Sequence, residues 1–417
     1  MDYNFETAQP EKFNMKTLDC ETLQRFCGAV DVRDTREEEA VNGVLPQLVA
    51  VPQSEESALS LVAFCGREKW AFVVRGGGGN LHIGAPPERC DLLISTEKLN
   101  LIHEHDEGNA TVEVGSGITL LALDEKMRAR GQYLPIEYSN RASLGGAVAT
   151  DFAGRIALKY GAPRDLVVGL QTALSDGRLV KSGGKVVKNV SGYDLNKLFV
   201  GSFGTLGLTT RVTIRLRPLD ESGAICSANF STFSEAESCA WKIFDGAFEP
   251  TFLQLSSRGN AHFMEARFDG VRASVEAQIA RLQTLNASFE TETLNASSRL
   301  LLPDETPANI EMRARLPLRR AREWILLAHE KGATQTIWNC GLGTVRARFD
   351  QAPDIASLRR EAETRDGHLR LERAPLELLT PQNVWGEAMT DFFLMQRLKA
   401  KFDAANVCAP GRFVGGL

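Results

Sequence analysis

The residues with the clearest chemistry in this sequence are glycines. An apolar strand candidate, Trp70-Ala71-Phe72-Val73-Val74, runs straight into Arg75-Gly76-Gly77-Gly78-Gly79-Asn80. Without Cβ atoms, successive backbone N–H groups in such a turn can converge on one point and bind an anion such as a pyrophosphate. Arg75 adds positive charge beside it. A second Gly-dense region follows, with Leu144-Gly145-Gly146, Tyr160-Gly161, Gly192-Tyr193-Asp194 and the run Gly201-Ser202-Phe203-Gly204-Thr205-Leu206-Gly207-Leu208. Loop glycines at this density suit main chain packed closely along an extended ligand, and the pattern predicts a long, thin nucleotide cofactor.

Two common nucleotide motifs do not fit. The Gly184-Lys185 pair is followed by Val186 and lacks the leading glycine of a P-loop. A Rossmann fingerprint must open a helix, but Leu81-His82-Ile83-Gly84-Ala85-Pro86-Pro87 follows Asn80 and would break one. Composition excludes other classes. The formal net charge is -5, which gives no electrostatic footprint for nucleic acid. The cysteines (Cys20, Cys27, Cys65, Cys90, Cys226, Cys239, Cys340, Cys408) include no Cys-x-x-Cys pair for zinc or an iron–sulfur cluster and suggest a reducing, cytosolic compartment. No run of about 18 apolar residues is present, and the first residues lack the basic region of a signal peptide.

The order of the glycine motifs resembles the FAD-binding domain of the vanillyl-alcohol oxidase and p-cresol methylhydroxylase (PCMH) superfamily. It runs from Arg-Gly-Gly-Gly through Val114-Gly115-Ser116-Gly117, Leu-Gly-Gly and Tyr160-Gly161-x-x-Arg164-Asp165 to Gly-Tyr-Asp-Leu and Gly-Thr-Leu-Gly-Leu. Two further stretches, Gly184 to Leu195 and Pro410-Gly411-Arg412-Phe413-Val414-Gly415-Gly416-Leu417, resemble the FAD-binding E subunit of the bacterial glycolate oxidase (dehydrogenase) complex. That resemblance implies an α+β fold, a two-subdomain PCMH-type FAD-binding domain plus a ferredoxin-like α/β cap. It also implies FAD as cofactor, a catalytic FAD subunit and an iron–sulfur subunit as partners, a small hydroxy acid as substrate, and peripheral membrane association through the complex.

Residues 1–44, polar and Glu-rich around Glu37-Glu38-Glu39, read as an N-terminal extension with no order assigned; residues 45–218 read as the FAD domain, 219–385 as the cap, and 386–417 as a helix and tail returning to the FAD domain. In the FAD domain, a strand over Pro46 to Val51 precedes a helix capped by Ser54, with Ala58, Leu61, Val62 and Cys65 on one face. Leu101 to Val114 reads as a hairpin, and Thr119 caps a helix ended by Gly131. Leu208, Thr210, Val212, Ile214 and Leu216 alternate with polar residues, as in a strand with one buried face. In the cap, two strand–helix–strand patterns suggest an antiparallel sheet with helices on one side, and Ser234 with Glu237 suggests a capping box.

The N–H groups of Gly77, Gly78, Gly79 and Asn80 should cradle the pyrophosphate, with Arg75 and Gly76 beside them. Leu144, Gly145, Gly146, Thr150 and Asp151 should flank the diphosphate and ribose, while Gly204, Gly207 and Leu208 would reach adenine as the resemblance implies. Pro135, Gly154, Tyr160, Gly161, Tyr193, Asp194 and Leu195 complete the cofactor contacts that it implies, although Asp194 also reads as an N-cap. Covalent relatives carry His where this chain has Gly79, so FAD should be non-covalent. Metal-dependent relatives hold a metal with histidines in the cap, and here the comparable segment is Asn339-Cys340-Gly341-Leu342-Gly343-Thr344-Val345-Arg346. No metal is expected, His103 and His105 reading as a solvated hairpin face, and catalytic residues stay unassigned. The alternatives are a free-standing FAD-dependent 2-hydroxyacid dehydrogenase acting through Lys188, Tyr193 or Arg412, and a scaffold that has lost flavin.

Overall fold

A computed structural model describes residues 20–184, 193–286, 288–294, 300–302 and 308–417. The chain begins with helix α1 (Cys20–Cys27) and strand β1 (Val30–Asp34), which pairs antiparallel with β2 (Leu48–Pro52). The stretch read as an extension is therefore part of the first subdomain from residue 20 onward. Helix α2 (Glu55–Glu68) starts where Ser54 accepts the Ser57 amide at 3.2 Å, and it buries Ala58, Leu61, Val62 and Cys65 as the pattern predicts. Strands β3 (Phe72–Arg75) and β4 (Leu92–Ser95) complete a sheet of order β1-β2-β4-β3, so the glycine turn leaves the C-terminal end of a sheet strand.

The second subdomain is the sheet β5-β6-β9-β7-β8, built from β5 (Ile102–Asp106), β6 (Thr111–Gly115), β7 (Val167–Ala173), β8 (Leu179–Gly183) and β9 (Leu208–Arg215). Strand β9 buries Leu208, Thr210, Val212 and Ile214, and Thr213 on the other face is buried as well. Helix α3 (Leu120–Arg128) is capped by Thr119, as expected, and the short helix α4 (Leu144–Thr150) follows it. A bulge between Ile102 and Glu104 takes His103 out of the ladder, and His105 meets the Gln132 side chain at 2.9 Å. The two histidines are not a matched pair on one strand face.

The cap is an antiparallel sheet of eight strands. Its first half is β10 (Ser222–Phe230), α5 (Phe233–Phe244), β11 (Phe252–Arg258), β12 (Ala261–Gly270), α6 (Arg272–Leu285) and β13 (Glu290–Leu294). The second half repeats that order with β14 (Ile310–Arg315), α7 (Ala321–Glu330), β15 (Gln335–Asn339), β16 (Thr344–Phe349), α8 (Ile355–Glu363) and β17 (His368–Arg373). Two ferredoxin-like units are thus fused edge to edge, β11 pairing with β15, in the order β13-β10-β12-β11-β15-β16-β14-β17. The capping box of α5 is Thr232 with Glu235, not Ser234 with Glu237: the Thr232 hydroxyl accepts the Glu235 amide, and the Glu235 carboxylate accepts the Thr232 amide, both at 3.2 Å.

Helix α9 (Phe392–Phe402) then leads the chain back to the FAD domain. Phe72 donates to the Val407 carbonyl and accepts from the Ala409 amide, each at 2.8 Å, adding the tail as a parallel bridge beside β3. Among the described residues, no helix is long and apolar enough to cross a membrane.

Candidate functional site

Strand β3 is held on both sides, by β4 and by the C-terminal tail, so the turn after it has a fixed origin. The turn packs against the segment Ser139 to Ser143, which explains part of its glycine content. A Cβ at Gly76 would run into the Ser143 hydroxyl, and one at Gly77 into the Arg141 carbonyl. Gly78 has φ +80°, a conformation that disfavours other residues. The backbone N–H groups of Gly77, Gly78, Gly79 and Asn80 donate to no backbone or side-chain acceptor among the described residues. Four consecutive free donors form the cradle that an anion would fill.

Opposite the turn lies a short helix, Leu144–Thr150, whose N-cap Ser143 accepts the Gly146 amide at 3.2 Å. The Asn80 side chain donates to the Thr150 hydroxyl at 3.0 Å, and that hydroxyl donates to the Gly146 carbonyl at 2.9 Å. The cleft between these segments is lined by Arg75, Gly76, Gly78, Gly79, Asn80, Gly146 and Thr150. Gly77 faces a second hollow behind the turn, beside Arg141.

Other residues expected at the cofactor do not line this cleft, and most have a structural occupation. Leu144, Leu208 and Pro135 are buried in the core. Gly145 packs on Ser116, Gly154 on Glu137, Gly161 on Asp165 and Gly207 on Ala173. Asp151 ends the short helix with φ +46° and accepts the Arg164 amide at 3.0 Å. Tyr160 stacks edge-on against Tyr133 near the start of the cap. Gly204 has φ +73° with open space where a Cβ would be. Tyr193 is 96% exposed, and Asp194 accepts the Asn196 amide at 3.1 Å beside Leu195, so this trio stands outside the cleft. Lys188 lies outside the described residues.

Two side chains of the site, Glu39 and Phe203, escape the sequence pattern, and Arg412, expected only in the free-standing alternative, joins them. Glu39, from the charge run, is buried and takes hydrogen bonds from Arg33 (2.6 and 2.8 Å) and from Arg75 Nη1 (3.0 Å), anchoring the base of the turn. Phe203 sits with φ +56° at the cleft wall, stacked on Phe413 and edge-on to Trp385. Arg412, buried in the tail, lines the same cleft.

Above this end of the cleft is the sheet face of the cap that its helices do not cover. Arg313, Arg346, Arg348 and Arg370 alternate along β14, β16 and β17 with Met312, Ala314, Val345, Ala347, Leu369 and Leu371, which pack in the cap core. These four guanidiniums share two carboxylates, Glu311 and Glu372. Arg313 stacks 5.7 Å from the Phe152 ring and Arg370 5.8 Å from the Phe203 ring, so the arginines face the FAD domain. Burial would raise the Glu372 carboxyl, but Arg313, Arg370 and Arg346 outweigh it and hold the pKa at about 2. Hydrogen bonds from Arg33 hold Glu39 at about 2, against burial. Both values lie below the ordinary 4.5, so each pair contributes stability that is fully present above about pH 4.5 and is lost as pH falls toward 2. Urea midpoints measured from pH 7 to 2 should be level down to about pH 4.5 and then drop, with Glu39→Gln removing part of the slope.

Residues 46–183 match the FAD binding domain family. The fold is that of a PCMH-type FAD-binding domain with a cap, and it superposes on a crystal structure of alkyldihydroxyacetonephosphate synthase with TM-score 0.70. That superposition covers 97% of this chain and 87% of the other at 16% identity. Fold and family match together show an FAD-binding domain over residues 46–183 carrying a cap. More particularly, the chain is related to D-lactate dehydrogenase of Archaeoglobus fulgidus, 36% identical over 197 residues, covering 47% of this chain and 44% of that one. Glycolate oxidase subunit GlcD of Bacillus subtilis is 32% identical over 213 residues, 51% and 45% of the two lengths. D-2-hydroxyglutarate dehydrogenase of Xanthomonas citri is 34% identical over 173 residues, 41% and 37% of the two lengths. The aligned stretches span less than half the length of each of these relatives.

The residues present fit FAD. The free amides of the turn suit a diphosphate, and the cleft walls Val73, Val74, Ala147 and Ala149 suit a flat apolar ring system.

Proposed function

We propose that the chain is an FAD-dependent oxidoreductase acting on 2-hydroxy acids, and specifically the non-covalent FAD subunit of a glycolate oxidase/dehydrogenase complex. The complex would oxidise glycolate to glyoxylate and pass electrons through an iron–sulfur subunit to quinone. The observation that carries the substrate class is the arginine face above the cleft. Arg313 and Arg370 share the single carboxylate of Glu372 there, so positive charge exceeds negative where a small carboxylate could be held against the cofactor.

Bound FAD would supply the acceptor for the two electrons leaving the substrate C–H bond. The chain's own part is positional. The turn amides hold the diphosphate, the short helix Leu144–Thr150 closes one side, and the aromatic group Phe203, Trp385 and Phe413 excludes water from the end beneath the cap. Gly79 offers no nucleophile for a flavin bond, which supports non-covalent binding. The shared-complex reading rests on the resemblance of Gly184 to Leu195 and Pro410 to Leu417 to the E subunit, and a catalytic FAD subunit would then be the partner that oxidises glycolate.

One observation favours a second reading, a free-standing dehydrogenase. Burial lowers the His82 pKa to about 4, with Arg373 and Arg412 adding to the effect against Glu372 and Glu311. His82 is thus neutral at pH 7, near charged groups of both domains, and a base of only carboxylate strength. Copurification from the native host with subunit identification and flavin counting tests the proposal. Partner subunits should copurify with at least one releasable FAD on this chain, while the isolated chain should show negligible glycolate-dependent dye reduction. Rapid turnover by the isolated chain, abolished by His82→Asn, would replace the complex with the second reading.

A further inference from the structure

Exposed large apolar side chains stand singly along most of the described chain, as is ordinary for a protein surface. Three fall together where the chain returns from the cap: Met389 is 57% exposed, Phe393 53% and Leu394 49%, at the start of helix α9. The other side of this helix is firmly held. The Phe392 ring lies where a Cβ on Gly415 would be, and Lys399 donates to the carbonyls of Thr205 and Cys408 at 2.9 and 2.8 Å. The outward side is therefore a fixed surface.

Its charges are arranged about Leu394. Successive residues of an α-helix turn by about 100°, so Asp391 and Arg397, three residues to either side, fall about 60° to the left and right of Leu394. Lys401, seven residues on, falls about 20° from it. All four are exposed. Asp391, Arg397 and Lys401 form no ion pair among the described residues, and the Asp391 side chain does not cap the helix. Glu387, exposed in the loop ahead of the helix, is a second carboxylate without an ion pair among the described residues. Acid at the N-terminal end and base at the C-terminal end complement the helix dipole, which accounts for the signs but not for the apolar residues between them.

A surface that is negative at one end, apolar in the middle and positive at the other is complementary to itself turned through 180°. With two antiparallel α9 helices crossing at Leu394, Asp391 of one copy faces Arg397 of the other. Glu387 faces Lys401 in the same way, each lying seven residues from Leu394. A partner surface of a single sign would match only one half of the stripe. We propose that this face joins two copies of the chain in an antiparallel α9 pair about Leu394. An 11-residue helix is only about 16 Å long, so the contact belongs with transient interfaces below about 1,200 Å², and the dimer should dissociate in the micromolar range. Pairing braces the helix that carries the tail back to the cleft, and the inference does not depend on the cofactor reading.

Sedimentation of the full wild-type chain at low salt, from about 1 to 100 µM, should show a reversible monomer–dimer equilibrium. Asp391→Arg or Arg397→Asp alone sets like charges against each other twice in a two-fold contact, and each should raise the dimer Kd at least about 10-fold. Asp391→Arg/Arg397→Asp exchanges the two ends and should return Kd to within about threefold of wild type. Such rescue is particular to self-pairing, because a foreign partner would lose a matched charge with each change. Leu394→Cys treated with a short bis-maleimide gives an independent reading, since an axis at Leu394 brings the two introduced thiols together. A wild type that stays monomeric throughout, single reversals without effect, a double variant as weak as the singles, or no linked dimer of Leu394→Cys above its Kd each overturns the proposal. Crosslinks from α9 of a monomeric wild type to a different subunit would assign the face to that subunit instead.

Discussion

Replacing Gly78 by Asp should strip the protein of FAD while leaving it folded. Gly78 has φ +80°, and a Cβ added there would lie 3.3 Å from Arg75 Nε, among the four amides that donate to nothing else. An aspartate at this point sets a carboxylate where the diphosphate should be. Like charges about 4 Å apart at an effective dielectric near 20 repel by about 4 kcal/mol, or about 1,000-fold in affinity. The new carboxylate could also pair with Arg75 and occupy the cradle itself, which acts in the same direction. Gly78→Ala separates charge from backbone strain, because a left-handed conformation costs an L-residue only about 1–2 kcal/mol. Flavin absorbance per mole of purified chain should therefore collapse in Gly78→Asp and fall modestly in Gly78→Ala, with circular dichroism unchanged in both. Full occupancy in Gly78→Asp would show that the diphosphate binds elsewhere.

The glycine turn was legible because its chemistry is local: five residues after an apolar strand carry it without help from elsewhere. The reasons for individual glycines were not. Gly77 is required by the carbonyl of Arg141, and Gly76 by the hydroxyl of Ser143, contacts between segments more than 60 residues apart. Glu39 is hidden even at shorter range, with Arg33 only 6 residues away and Arg75 36. Three consecutive glutamates read as part of an extension with no order assigned, and only Arg33 and Arg75 closing on the third make it a buried anchor. In the cap, strand β15 carries no alternation to mark it, because Thr336, Ile337 and Trp338 are buried in succession. Strand β10, Ser-Gly-Ala-Ile-Cys-Ser-Ala-Asn-Phe, is made of small residues with little apolar contrast, so the full repeat of two ferredoxin-like units is legible only in the sheet order.

Arg412 is the extreme case of this limit. Its partners Leu81 and Ile83 are 331 and 329 residues away, so nothing near the tail indicates that a cation will be buried there. The sequence offered only the Pro-Gly-Arg motif and a resemblance. What puts the residue in the cleft is the return of the chain to β3, and that return has its own fastening.

The second large effect should come from that fastening. Lys399, on α9, is buried and donates to the carbonyls of Thr205 (2.9 Å) and Cys408 (2.8 Å) and to Asp403 Oδ2 (2.7 Å). Asp403 in turn accepts from Ser175 (2.8 Å) and from the amides of Val407 and Cys408 (3.2 and 2.8 Å). Burial would raise its carboxyl pKa, but Lys399 and these donors outweigh it, so it stays charged. The pair ties α9, the loop carrying Phe203 and the start of the tail to one point. Lys399→Met leaves a buried carboxylate unpaired and two carbonyls without a donor, and should cost about 3–5 kcal/mol. Lys399→Met/Asp403→Leu removes both charges and should recover part of that loss, since the pair's own desolvation disappears with it. Because the tail carries Arg412, the single variant should also lose FAD more readily and become sensitive to protease after residue 402, even where the cap keeps its far-ultraviolet signature. Denaturant midpoints for the four members of this cycle decide the matter: if the double variant is as unstable as the sum of the two singles, the charges do not act as a pair and the tail is held by packing alone.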